Sequence, residues 1–91
     1  MTASDDMSAF ARIVDLGSFA RAAEDLQLAP SALSKRVSRL EDRLGVRLLN
    51  RTTRRLALTA EGEIYLARAR DILALVESAE AEVTASRGAP K

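Results

Sequence analysis

The chain has 91 residues, with 14 basic and 13 acidic side chains and neither cysteine nor histidine. That length suffices for one domain with a marginal core, and that composition removes disulfides, thiolate nucleophiles, most zinc sites and the usual general base at neutral pH. The net charge of +1 conceals segregation: Lys35 to Arg55 holds eight bases against two acids, while the remainder holds six bases against eleven acids, a pattern that presents one face to phosphate and keeps the rest off it.

A first helix is predicted from about Asp6 to Leu16, capped by Asp5 or Asp6, with Met7, Phe10, Ala11 and Val14 on its inner face. Gly17 ends it. Ser18 then caps a second helix whose inner face is Phe19, Ala22, Ala23 and Leu26, small enough for another helix to come near. After the connection Gln27-Leu28-Ala29, Pro30 occupies the first position of a third helix, where its missing N–H has no intrahelical role. This helix runs to Leu44 and is closed by Gly45. Leu33, Val37, Leu40 and Leu44 repeat at four, three and four residues and form one inward stripe. Ser31, Ser34, Lys35, Ser38 and Asp42 face elsewhere, and the small polar side chains at the helix start let its backbone approach a groove floor.

Two short extended runs follow, near Leu48 to Asn50 and Arg55 to Leu58, and they flank Arg51 to Arg54. They read as a hairpin, although its loop lacks the glycine that tight primed turns favour. Two helices, a short turn and a basic hairpin make the order of a winged helix-turn-helix. Thr59 then caps a long helix with Glu61 and Glu63 in its first turn, the sign of charge that a helix N-terminus prefers. Within it Tyr65, Ala69, Ile72, Val76, Ala79 and Val83 alternate spacings of four and three, a heptad seam. From Thr59 to Ala85 the rod spans ~40 Å, too long for the small head to cover, so its stripe requires another surface. A second copy of the chain is the simplest one. Arg87 to Lys91 breaks the helix.

The expected fold is mainly α: a winged helix-turn-helix of three helices plus a two-stranded wing, followed by a long dimerisation helix. The head is assigned to residues 1–58, the linker helix to 59–87 and a tail to 88–91. No apolar run approaches the ~20 residues of a membrane span, and MTASDD is not a secretion signal, so the expected address is the cytoplasm. No cofactor, metal or catalytic pair is expected, and no enzymatic activity.

The run Gly17-Ser18-Phe19, Ala22-Ala23, Leu33-Ser34, Leu40-Glu41, Leu44-Gly45-Val46, Leu48-Leu49, Arg51 and Leu58-Thr59 with Gly62 holds its spacing over about 45 positions. In that combination the chain resembles, along nearly its whole length, the N-terminal domain of LysR-type transcriptional regulators. The resemblance implies a bacterial repressor or activator that binds double-stranded DNA and whose linker helix dimerises antiparallel. It further implies a larger effector-sensing domain after this one, through which alone a small molecule would act. Ala29 stands where many members carry Ser or Thr, and Pro30 where some carry Gln; Pro30-Ser31-Ala32 resembles a subgroup in which other side chains must read the sequence.

The resemblance makes Lys35 the leading base contact, since guanine offers two acceptors in the major groove. Ser31, Ser34 and Ser38 are placed with it, the first two as donors to phosphate or base or as helix-start caps. Pro30 either rests on a thymine methyl or serves the helix start alone. Arg51, Thr52, Thr53, Arg54 and Arg55 make the wing, with Arg54 at the tip for a narrow minor groove; Arg51 reads equally as a phosphate contact or as a tie to Glu41. Ser18 and Arg21 either hold phosphate or, for Ser18, only cap. Some of Arg36, Arg39, Arg43 and Arg47 pair with Glu41 or Asp42. Tyr65, Ala69, Ile72, Val76, Ala79 and Val83 form the homodimer interface, and the partner is DNA of imperfect dyad symmetry. Two competing readings remain: a helical protein-interaction module, which leaves the clustered charge unexplained, and a small stand-alone winged-helix regulator.

Overall fold

The structure, a computed structural model, describes residues 3–51 and 56–88. In chain order it holds α1 (Ala3–Leu16), α2 (Phe19–Leu26), α3 (Pro30–Leu44), β1 (Leu49–Asn50), β2 (Ala57–Leu58) and α4 (Ala60–Gly88). Local signals set most boundaries. The α1 helix starts ahead of the expected cap, so Asp5 and Asp6 lie in its first turn at the positive end of the helix. Gly17, with φ +67°, closes it by donating its N–H to the Ile13 carbonyl at 2.8 Å. The extended backbone of Ser18 aims its Oγ at the Arg21 N–H, 3.2 Å away, and so caps α2. Gln27 ends α2 in a left-handed conformation, φ 57°, that glycine usually supplies. Pro30 opens α3 and Gly45 closes it, as the sequence indicates.

Helices α1, α2 and α3 enclose a core of Phe10, Ile13, Ala22, Ala23, Leu33, Val37 and Leu40, to which Leu48 and Leu49 add from the strand side. The α1 helix packs against three neighbours, α2, α3 and α4. It therefore buries Ala9, Phe10, Ala11 and Ile13, a wider and differently phased face than Met7-Phe10-Ala11-Val14; Met7 and Val14 are half-buried. The inward stripe of α3 holds at Leu33, Val37 and Leu40 but not at Leu44, which is 39% exposed where the helix runs past the core.

The wing is antiparallel, with Leu49 opposite Leu58 and Asn50 opposite Ala57. Its strands are shorter than the expected runs, and Arg55 lies outside the described residues. Thr59 locks the wing to α4: its Oγ1 accepts from the Gly62 N–H at 2.9 Å and donates to the Arg47 carbonyl, while its own N–H reaches the Leu48 carbonyl at 3.0 Å. Gly62 is required by this closeness. A Cβ there would sit 2.0 Å from the Leu48 carbonyl oxygen.

The first turns of α4 belong to the head's packing. The Tyr65 ring meets Phe10 edge-on, centroids 5.4 Å apart, Leu66 and Ala69 are buried, Leu73 packs against the same cluster, and Arg70 pairs with Asp15 at 2.7 Å. Tyr65 and Ala69, read from the heptad as seam residues for a second chain, are respectively half-buried against Phe10 of α1 and fully buried within this chain. Beyond Leu73 the helix leaves the head, and the molecule measures 56 × 26 × 22 Å. Ile72 and Val76 are 40% exposed and Val83 is 71% exposed. Among the described residues no helix is long and apolar enough to cross a membrane.

Candidate nucleic-acid interface

Three buried side chains hold α3 by one side. Leu33, Val37 and Leu40 are each at most 1% exposed, so at 3.6 residues per turn the opposite side must carry Ser31, Lys35, Ser38 and Asp42. Ser31 and Lys35 are exposed and Ser38 is half-buried. Pro30 is exposed at the N-terminus of the helix, and Ala29 before it supplies no side-chain cap. The start of α3 thus offers a small-residue surface with one lysine above it. Ser18 and Arg21 stand at the start of α2, where Ser18 caps and Arg21 is exposed.

Ser34 lies on the flank of α3 that faces the wing, half-buried rather than outward. Its Oγ accepts a hydrogen bond from Arg51 Nη1 at 2.8 Å. The Arg51 guanidinium turns into the protein: its carbon lies 4.7 Å from the centroid of the Phe19 ring, and Nη2 stands 3.7 Å from Glu41 Oε1. Of the two sequence readings of Arg51, the geometry supports the tie to Glu41. Thr52, Thr53, Arg54 and Arg55 lie outside the described residues.

Glu41 is the buried carboxylate on which this corner is built. It is 6% exposed, and its Oε2 accepts from the backbone N–H groups of Leu48 and Leu49 at 2.8 and 3.1 Å. Charge-assisted bonds of this kind are about twice as strong as neutral ones and offset the cost of removing a carboxylate from water. Glu41 was legible in the sequence only as a partner for arginine. Its place four residues after Val37, on the edge of the inward stripe, was the signal that it is buried.

The remaining arginines divide as the sequence suggests, with different partners. Arg47 lies 3.9 Å from Glu41, whereas Arg43 pairs with Asp6 of α1 at 3.5 Å and not with Asp42. Arg36 and Arg39 flank Lys35 beside Leu28 and Ala32. Arg12 and Asp25 tie α1 to α2 at 2.7 Å, and the Arg12 hydrogen bond holds the Asp25 carboxyl below its ordinary range. Burial pushes the Tyr65 phenol above its ordinary value. Among the described residues no group of three or more acidic or metal-ligating side chains is placed to hold a metal ion.

From Ile72 onward the exposed large apolar side chains of α4 are Ile72, Leu75, Val76 and Val83, with Ala79 also exposed between them. Leu75, 70% exposed, was missed because it falls off the strict heptad. A second exposed patch lies where α3 ends and α4 begins. There Leu44, Val46 and Ile64 border a hollow of about 320 Å³ that Leu48, Tyr65, Glu61 and Arg68 complete.

Residues 4–63 match the model of a family described as bacterial regulatory helix-turn-helix protein, lysR family. The HTH-type transcriptional regulator CrgA of Neisseria meningitidis is 50% identical over 90 residues, which is 99% of this chain and 30% of that protein. The HTH-type transcriptional activator AaeR of Escherichia coli is 44% identical over 84 residues, covering 92% of this chain and 27% of that one. The chain thus spans less than a third of the length of these curated relatives. Among solved structures, CrgA superposes with a TM-score of 0.81 at 49% identity over all of this chain and 31% of its own. The BenM_DBD/catB site 1 DNA complex superposes with a TM-score of 0.90 at 27% identity over 99% of this chain and 100% of its own.

Proposed function

The chain belongs to the lysR family of bacterial regulatory helix-turn-helix proteins, and from that premise we propose that it binds double-stranded DNA sequence-specifically, as a dimer joined through α4. The observation that carries the reading is the fixed rotation of α3. With Leu33, Val37 and Leu40 buried, Ser31 and Lys35 are held outward at the start of the helix, where a recognition helix meets base edges. The likeness to a domain solved on DNA supports it. In this reading Lys35 reaches the guanine acceptors, Ser31 and Pro30 lie on the groove floor, and Ser18, Arg21 and the wing from Thr52 to Arg55 hold phosphate and minor groove.

Two copies pair through the exposed stripe Ile72, Leu75, Val76, Ala79 and Val83. A two-fold dimer presents two α3 helices to successive major-groove faces, so the target carries imperfect dyad symmetry. An effector, in a regulator of the relatives' length, acts through the larger part of the protein outside these residues.

Selection of bound duplexes from a random pool, with this chain and with Lys35→Ala, tests the assignment. Expected is a dyad-symmetric motif whose preference relaxes at one position per half-site in the variant; a uniform loss of affinity would recast Lys35 as a phosphate anchor. If the two heads neutralise about six to ten phosphates, raising salt from 50 to 200 mM weakens binding by roughly 10³ to 10⁵. No binding to any duplex at low salt would leave the protein-interaction reading in its place.

A further inference from the structure

We propose that Arg51 is a positioning residue for DNA reading: it occupies one lone pair of the Ser34 hydroxyl and so turns that hydroxyl's proton toward the DNA. The inference rests on the DNA-binding reading above and adds to it a direction for one bond and a residue that sets it. A serine hydroxyl has one proton and two lone pairs, whereas a guanidinium has five N–H donors and no acceptor. Arg51 Nη1 donates to Ser34 Oγ at 2.8 Å, so the serine proton must point to another partner. The acceptor assigned to it is a base edge, guanine O6 or N7 or thymine O4, since a bond to a phosphate oxygen would carry no sequence information.

What makes Arg51 a fixed donor is its enclosure by three elements. Phe19 of α2 lies under the guanidinium, Glu41 of α3 stands beside Nη2 at 3.7 Å, and the chain leaving β1 supplies the residue itself. Glu41 is in turn held by the Leu48 and Leu49 amides. Among the described residues Arg51 Nε and Nη2 are buried without a hydrogen-bond partner, so the group gives up two donors there to hold this orientation. A flexible surface arginine seeking phosphate would keep those atoms in water. The planar fork matters, because a lysine at the same place provides charge but no pre-set geometry. The arrangement also links the wing root to the recognition helix through one side chain.

The test measures the ratio of affinities for a selected duplex and for a scrambled duplex of equal length, together with the salt slope, for Arg51→Lys, Ser34→Ala and the double variant. Expected is a loss in that ratio of about fivefold for either single change, the scale of one hydrogen bond. The double variant should lose no more than either single one, since both remove the same bond. The salt slope should stay at the wild-type value. Additive losses, or a slope lowered by about one in Arg51→Gln, which removes the charge that Arg51→Lys keeps, would make Arg51 a direct phosphate contact and overturn the proposal; an unchanged ratio in Arg51→Lys would overturn it too. Should Arg51→Lys not fold, Phe19→Leu loosens the same guanidinium from the other side. It is expected to lower the ratio in the wild-type background and to have no effect in Ser34→Ala, and equal losses in both backgrounds would refute the link. A wild-type chain that binds no duplex selectively fails the DNA-binding reading itself, a different outcome from any of these.

Discussion

The head and the outer part of α4 manage apolar surface in opposite ways. In the head, Phe10, Ile13, Leu33, Leu40, Leu48 and Leu49 are each at most 1% exposed; past Leu73, Leu75 and Val83 are 70% and 71% exposed. One continuous helix passes from the first condition to the second. Its N-terminal turns are held against the head by Tyr65, Leu66 and Ala69, so the head fixes the direction in which the rod leaves. The outer turns have only helix propensity of their own, which is marginal for an isolated segment in water. On the proposed function, these are the two properties that a paired reader needs: rigidity at the DNA-facing head and apolar surface left for a second copy.

Glu41→Ala strikes the head hardest. It leaves two backbone N–H groups without their buried acceptor and the Arg51 guanidinium without its buried counter-charge, and a loss of about 3–5 kcal/mol is expected. The urea midpoint at fixed chain concentration measures it. A loss below 1 kcal/mol would mean that water replaces the carboxylate and that the corner is less enclosed than its burial indicates. Val76→Asp addresses the rod instead. On the proposed pairing it places an unpaired carboxylate on each side of the interface and weakens the dimer on the order of 100-fold, read by sedimentation equilibrium. The head should keep its fold, because Val76 lies beyond Leu73, the last α4 residue packed on the core. Equal damage to the head would show that the two regions are not separable.

Gly62→Ala acts at the joint between them. The added methyl would meet the Leu48 carbonyl oxygen at 2.0 Å, and backbone cannot swing aside as a flexible side chain does. Strain of about 1–3 kcal/mol is expected, seen as a lower thermal midpoint with the helical signal of α4 retained.

These regions were unequally legible in the sequence, for a physical reason. Gly17, Ser18, Pro30, Gly45 and Thr59 mark helix ends correctly because capping is decided by one residue and its own backbone. Periodicity likewise gave the buried side of α3. It could not say what covers a stripe: Tyr65 and Ala69 both obey the heptad, yet Tyr65 packs on Phe10 of α1 and Ala69 is buried within its own chain. Ile13 was missed because one amphipathic face cannot reveal that α1 packs against three neighbours. At the candidate site, Lys35 and Ser31 follow from their angle to Leu33. The inward turn of Arg51 depends on Phe19, Ser34 and Glu41 meeting in space, which no spacing along the chain encodes.

The smallest expected effects are in pH dependence, and they again separate the outer surface of the head from the joint. At the joint, the folded Tyr65 phenol titrates above its ordinary value of 10.0, chiefly because burial disfavours the phenolate. Its contribution is complete below the unfolded value and fades as pH rises through the higher folded one, so Tyr65→Phe should flatten the alkaline limb of stability. On the outer surface the sign reverses. Asp25 is held below its ordinary 3.8, first by the Arg12 hydrogen bond, so the pair stabilises fully above that value and is lost as pH falls through the lower folded one. Asp25→Asn should therefore lower the urea midpoint at pH 7 and converge with wild type in strong acid. Because both side chains are solvent-accessible, with 45% and 40% exposure, the difference at pH 7 should also shrink in about 1 M salt, where the screening length falls to ~3 Å. A difference that survives both acid and salt would mean that Asp25 acts through packing between α1 and α2 and not through its charge.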